Sequence, residues 1–121
     1  MDSLTPEQAA KLARLWVWCE GHAYTDSLGR VCRVSLDLLP YLLEGRTGGR
    51  VPDLRDNVTR DGLLRTARAA WQNPRLHAQP LWDFDEPDKI ARWDIHGAPR
   101  CAGKTEDAAL LAAILAAPEA T

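Results

Sequence analysis

The stretch Val51 to Trp71, VPDLRDNVTRDGLLRTARAAW, constrains this chain more than any other. Pro52 fixes its own φ and pushes Val51 toward extended geometry. A helix follows. Asp56 and Thr59 can each cap it, offering an oxygen to the exposed N–H groups of the first turn. Leu63, Leu64, Ala67, Ala70 and Trp71 recur at helical spacing on one side. Arg60, Asp61, Arg65, Arg68 and Gln72 fall mostly on the other. Gly62 costs roughly 1 kcal/mol against Ala inside a helix, which weighs against a start at Asp56. Asn73-Pro74 ends the element, because the residue before a proline avoids α geometry. The shorter elements on either side are expected to cover this helix, with Trp71 mostly buried against Leu110, Ile114 or Leu115.

The N-terminal third opens on a capped helix. Thr5 is the N-cap, Pro6 sits at N1 and Gln8 at N3 completes a capping box. Leu12, Leu15, Trp16 and Cys19 form the buried stripe, Trp18 lies off it, and Gly21 ends the helix. Ala23-Tyr24-Thr25, a turn at Asp26 to Gly29, and Arg30 to Val34 read as a hairpin. Leu36 to Leu43 reads as a short helix or turn beginning near Ser35. Residues 45–50 form a glycine-rich loop.

Beyond the central helix, Arg75 to Trp82 predicts a strand with Leu76, Ala78 and Leu81 inward. Pro80 assigns that strand to a sheet edge or keeps it short. Asp83 to Asp88 is an acidic loop, Lys89 to His96 a second strand and residues 97–103 a loop. Thr105 caps a last helix, whose Glu106 and Asp107 complement the helix dipole. The order is α-β-β-α-α-β-β-α. It predicts one α+β domain over residues 1–121, a small antiparallel sheet of three to four strands covered by three to four helices.

Composition narrows function by exclusion. A net charge of −2 argues against a dedicated nucleic-acid binder. The charge is unevenly placed: residues 30–75 hold nine Arg against five acids, whereas Asp83, Asp85, Glu86, Asp88 and Asp94 face only Lys89 and Arg92 in the next segment. Three cysteines, Cys19, Cys32 and Cys101, have no framework spacing and suit free thiols in a reducing cytoplasm. The first residues lack the basic and apolar regions of an export signal, and the C-terminal apolar run is too short to span a bilayer.

No constellation calls for a catalytic residue, a metal or a cofactor. Gly103-Lys104-Thr105 precedes a helix as in a phosphate-binding loop, yet Gly97 is one residue too far upstream for that motif, and no further strands follow. Cys19-x2-His22 could supply two zinc ligands, but no second tight pair completes four; His96-x4-Cys101 comes nearest. The cysteines and histidines show no nucleophile–base signature. Five tryptophans are many for 121 residues. Trp16, Trp71 and Trp93 fall on core faces, leaving Trp18 and Trp82 as half-buried covers or as contact residues.

From Pro52 onward the chain resembles a group of small proteins encoded by tailed phages and prophages. The shared pattern is Leu-Pro-Asp-Leu, a helix ending Ala-Trp, a Trp-containing strand, Gly-x-Ser/Thr-Glu, and an Ala/Leu helix ending Ala-Ala-Pro. Here it is carried by Pro52-Asp53-Leu54, Leu63-Leu64, Ala70-Trp71, Trp93, Gly103, Thr105-Glu106 and Ala116-Ala117-Pro118. Val51 stands for Leu, Asn57 stands for the usual proline, and the first fifty residues lie outside the pattern. The resemblance brings no catalytic residues. It implies a phage-type accessory protein of the host cytoplasm that acts by non-covalent binding. Such a protein would inhibit or redirect a host protein or an anti-phage defence complex, in the manner of an anti-CRISPR or other anti-defence inhibitor.

The expected partner is accordingly a host or phage protein, or a second copy in a homodimer, rather than nucleic acid or membrane. Arg60, Arg65, Arg68, Trp18 and Trp82 are the candidate partner-binding residues, although the three arginines read as plainly as a solvated helix face. The alternative is a sponge or small enzyme for a nucleotide or cyclic nucleotide, with Arg46, Arg50 and Arg55 on its phosphates. A structural phage component is the third reading.

Overall fold

A computed structural model describes residues 4–98 and 101–118, so residues 99 and 100 of the predicted 97–103 loop lie outside it. The fold is α+β. The chain divides between Gly62 and Leu63 into two compact units. Among the described residues each unit carries its own three-stranded antiparallel sheet, where the sequence suggests a single sheet.

In the first unit, helix α1 (Pro6–Leu15) starts as its caps dictate. Thr5 Oγ1 accepts from Gln8 N at 3.1 Å, and Gln8 Oε1 accepts from Thr5 N at 3.0 Å. The helix stops at Leu15, six residues before the predicted stop at Gly21. Trp16 is already extended, and the burial of Trp16-Val17-Trp18-Cys19 then alternates. Alternation is what an extended chain imposes, since residues i and i+2 share a face. Both indoles therefore turn inward, with Trp16 4% and Trp18 3% exposed. Trp16 Nε1 donates to His22 Nδ1 at 3.0 Å, which leaves that buried imidazole unprotonated at Nδ1. Trp18 Nε1 donates to Ala13 O at 3.1 Å, a last-turn carbonyl of α1 that the helix itself leaves unpaired.

Strands β1 (Ala23–Thr25) and β2 (Val31–Arg33) form the predicted hairpin, Tyr24 opposite Cys32. Its turn is held by Asp26, whose Oδ1 accepts from the N–H groups of Leu28 and Arg30, both at 2.9 Å. Helix α2 (Leu39–Leu43) follows. Strand β3 (Val51–Pro52) pairs with the other edge of β1, so the extended geometry imposed by Pro52 becomes a ladder.

Of the two possible caps, Asp56 is the one used: Oδ2 accepts from Thr59 N at 3.0 Å, opening α3 (Asn57–Arg60). Thr59 is fully buried instead. Its hydroxyl accepts from Ala23 N at 2.7 Å and donates to Asp56 at 2.9 Å, pinning α3 to β1. The predicted long helix breaks at Gly62. A Cβ there would sit 2.9 Å from Trp16 Cζ2 and 3.1 Å from His22 Cε1, so the Trp16–His22 pair occupies the space a side chain would need.

The second unit begins with α4 (Leu63–Ala70), which buries Leu63, Thr66 and Ala67. Gln72 ends it at a positive φ of 50°. Strands β4 (His77–Trp82), β5 (Ile90–His96) and β6 (Ala102–Gly103) lie in that order, placing Pro80 on an edge strand as its missing N–H requires. Ile95 is buried and Trp93 half-buried, whereas Leu81, expected inward, faces solvent. Thr105 caps α5 (Glu106–Ala116) through a 3.1 Å bond from Ala108 N. That helix packs on α4 and on all three strands of its unit, burying Ala109, Leu110, Leu111, Ala113 and Ile114. Trp71 Nε1 donates to Ala113 O at 2.7 Å, so Trp71 meets α5 as expected, though half-buried rather than mostly buried. Among the described residues, no helix is long and apolar enough to cross a membrane.

Candidate partner-binding surface

The end of the β4–β5 hairpin leaves four large apolar side chains in water: Trp82 and Ile90 are a cross-strand pair, Leu81 points to the other face of the strand, and Phe84 follows in the loop. Trp82 is 54% exposed, Leu81 44% and Ile90 38%, and Phe84, the chain's one phenylalanine, is entirely so. The arrangement follows from the local sequence. The register slips between Leu81 and Trp82: Leu81 faces Arg92 and Trp82 faces Ile90, leaving Ala91 as the extra residue of a bulge. The loop then closes on itself. Asp83 N donates to Lys89 O at 2.9 Å, Lys89 N to Glu86 O at 2.9 Å, and Asp85 N to Asp83 Oδ1 at 3.0 Å. Phe84 sits among acids that must remain hydrated, so the loop cannot fold inward to bury it. Leu36, Tyr41 and Leu43 around α2 are also exposed, but they bring one aromatic ring where the hairpin brings two.

Of the five residues predicted for partner contact, Trp82 is exposed. Trp18 is buried, and its indole N–H is used within α1. The helical stripe misplaces it because the chain is extended from Trp16 onward. Nor do the three arginines share one helix. Arg60 belongs to α3, where it donates to Asn57 Oδ1. Arg65 is exposed on α4. Arg68, on the same helix, has its Nε committed to Leu76 O at 2.8 Å, linking α4 to the start of β4. Arg68 is thus a structural tie and not a free contact residue.

Two of the three arginines of the phosphate alternative hold carboxylates, and the third, Arg50, has its Nε buried without a hydrogen-bond partner among the described residues. Arg46 pairs with Glu44 at 3.6 Å. Arg50 lies 5.7 Å from the Tyr24 ring centre and donates to Thr47 O at 3.3 Å. Arg55 grips Asp53 in two places, Nε to Oδ1 at 3.0 Å and Nη2 to Oδ2 at 3.2 Å. Arg55 does border a shallow depression of about 390 Å³, together with Val31, Arg33, Asp53 and Asp56, but Arg46 and Arg50 do not line it. Its two cations are matched by two carboxylates, so an entering phosphate would have to displace an existing partner.

The Arg33–Asp56 pair at this depression sets a pH dependence. Arg33 Nη2 lies 2.8 Å from Asp56 Oδ1, and this hydrogen bond, with that from Thr59 N, holds the Asp56 carboxyl well below the usual range. Arg55 lowers Asp53 in the same way. Carboxyls depressed in the folded state contribute stability that is complete above their unfolded pKa of about 3.9 and is lost as pH falls toward the folded value. The denaturant midpoint should therefore stay level from neutral pH to about 5 and fall in acid. Asp56→Asn keeps a capping oxygen but cannot ionise. It should lower the midpoint at neutral pH and make the acid limb shallower; an acid limb unchanged from wild type would contradict this assignment.

The cysteines are free thiols: Cys32 exposed, Cys19 half-buried and Cys101 buried, where burial raises its pKa. The candidate zinc ligands do not converge. Among the described residues no group of three or more His, Cys, Asp or Glu could hold a metal. His77 and His96 stack across β4 and β5 at 5.2 Å, as a cross-strand pair. Gly103 packs its bare Cα against α5, and Thr105 caps that helix, so the Gly-Lys-Thr run has a structural explanation.

The sequence reading missed Phe84, Leu81 and Ile90. The signal was present: an apolar residue alternating with acids in Trp82-Asp83-Phe84-Asp85, beside a proline-bearing edge strand. No protein-family model, no curated protein and no solved structure matches this chain.

Proposed function

We propose that the protein acts by non-covalent binding of another protein, and that the end of the β4–β5 hairpin is its contact surface. The supporting observation is the exposure of the cross-strand pair Trp82 and Ile90, with Phe84 fully exposed in the adjoining loop, which its own backbone bonds close. Leaving such side chains in water forgoes burial worth roughly 1.5–3 kcal/mol each. Grouped exposed apolar residues are characteristic of contact sites, where aromatic anchors carry most of the binding energy. A loop already ordered loses little further freedom on docking. Together with the resemblance to phage and prophage proteins, this supports a phage-type accessory protein that inhibits or redirects a host protein or defence complex in the host cytoplasm. The phosphate-ligand alternative has less support, because Arg46 and Arg55 pair with carboxylates and neither Arg46 nor Arg50 lines the depression that Arg55 borders.

The test is affinity capture from bacterial lysates with wild type and with a Trp82→Ser, Phe84→Ser double variant. Wild type should retain a stoichiometric protein partner. The double variant should lose it while its unfolding midpoint stays within about 1 kcal/mol of wild type, as surface substitutions do. Equal capture by both proteins, or no partner from any of several hosts, would count against the reading.

A further inference from the structure

We infer that the surface docking on the β4–β5 hairpin is basic: an apolar protein site flanked by Lys or Arg. This rests on the hairpin being the contact surface and adds the chemistry of what it contacts. Asp83, Asp85, Glu86 and Asp88 lie between the apolar anchors, opposed within the loop by Lys89 alone. Lys89 is taken by Glu86 at 2.7 Å. Arg92, further along β5, is taken by Asp94 at 2.9 Å. Among the described residues, Asp85 and Asp88 have no cation within ion-pair distance, and both are exposed. Phe84 cannot be covered without drawing Asp83 and Asp85 on either side of it to the edge of the contact.

Carboxylates brought to a closing interface need partners of opposite sign, because like charges placed opposite each other cost several kcal/mol. The closed loop fixes the backbone that carries these charges, which keeps the carboxylates near the anchors. The same charges disfavour three other occupants. Two copies meeting hairpin to hairpin would set acids against acids, since a twofold interface pairs a patch with itself. Nucleic acid presents phosphates. An anionic bilayer presents the same sign at the depth where Trp and Phe would insert.

The test uses three synthetic amphipathic helical peptides of one length. Each has the same leucine face, and the opposite face is Lys, Gln or Glu. Binding is followed by chemical shifts of the Trp82 indole and the Phe84 and Ile90 side chains, at low and high salt. The Leu/Lys peptide should move these resonances, bind at least about tenfold more tightly than the Leu/Glu peptide, and weaken as salt rises. Asp85→Asn with Asp88→Asn should cut Leu/Lys affinity about three- to tenfold and flatten its salt dependence, since rim charges act through steering.

Equal hairpin shifts with the Leu/Glu peptide would overturn the basic-partner inference while leaving the hairpin as the contact surface. Shifts confined to other residues with all three peptides would overturn both. Hairpin shifts that grow with protein concentration alone would replace the basic partner with a second copy, and binding to phosphatidylglycerol vesicles would replace it with a membrane.

Discussion

Gly103→Ala is expected to cost at least about 3 kcal/mol, at or beyond the top of the range for overpacking a well-fitted site. A Cβ at this position would lie 2.5 Å from Ala109 N and 2.8 Å from Ala108 C. Both atoms are main chain in the first turns of α5, so no rotamer change relieves the contact. Strand β6 would have to lift from the helix, and β6 is only Ala102–Gly103, held by its pairing to Trp93 and Asp94. Losing that pairing removes one edge of a three-stranded sheet. Urea unfolding monitored by far-UV circular dichroism checks this. A Gly103→Ala protein with the wild-type midpoint would mean that β6 is not seated on α5 as described.

Trp71→Ala is expected to cost about 3–5 kcal/mol, toward the lower end because the ring is half-buried. Two losses combine. The indole no longer fills the contact between the end of α4 and α5, and Ala113 O loses its 2.7 Å donor. Trp71→Phe separates them: the ring's bulk is largely kept and the donor removed, so its cost should be about 1 kcal/mol. Chemical denaturation of the three proteins decides the matter. A Trp71→Ala midpoint equal to wild type would show that the contact between α4 and α5 carries little of the unit's stability.

The parts of the fold legible in the sequence were those fixed by short-range stereochemistry. Thr5-Pro6-x-Gln8 specifies a helix start whatever follows, and so does Thr105 with its two acids. Asp26 and Gly29 specify a turn, and Pro80 an edge strand. The misread parts depended on side-chain partners that helical periodicity does not show, some of them near in sequence and some far. Leu12 to Cys19 supports a helical stripe as well as a helix followed by an extended strand. What decides is that Trp16 finds His22 and Trp18 finds Ala13 O. Gly62 looked like a mild cost inside a helix because Trp16 and His22, forty or more residues upstream, are what require it to be bare. Short pairings such as β3 and β6 leave almost no periodicity in two residues.

The candidate site divides on the same line. The exposure of Trp82 was legible because a tryptophan at a strand end before an acidic loop has few ways to be buried. The arginine face was not, because the break at Gly62 assigns Arg60 to one helix and Arg65 and Arg68 to another, and Arg68 then serves Leu76 O. A helical projection cannot show a helix that stops halfway.

The most direct test of protein binding through the hairpin is a chemical-shift map of the isotope-labelled protein with its captured partner. The prediction is that the largest changes fall on Leu81, Trp82, Phe84 and Ile90, with the amides of Asp83 to Lys89 following. The contrary result is a map that leaves these residues unmoved and centres on Arg33, Arg55 and Asp56 around the depression of the first unit.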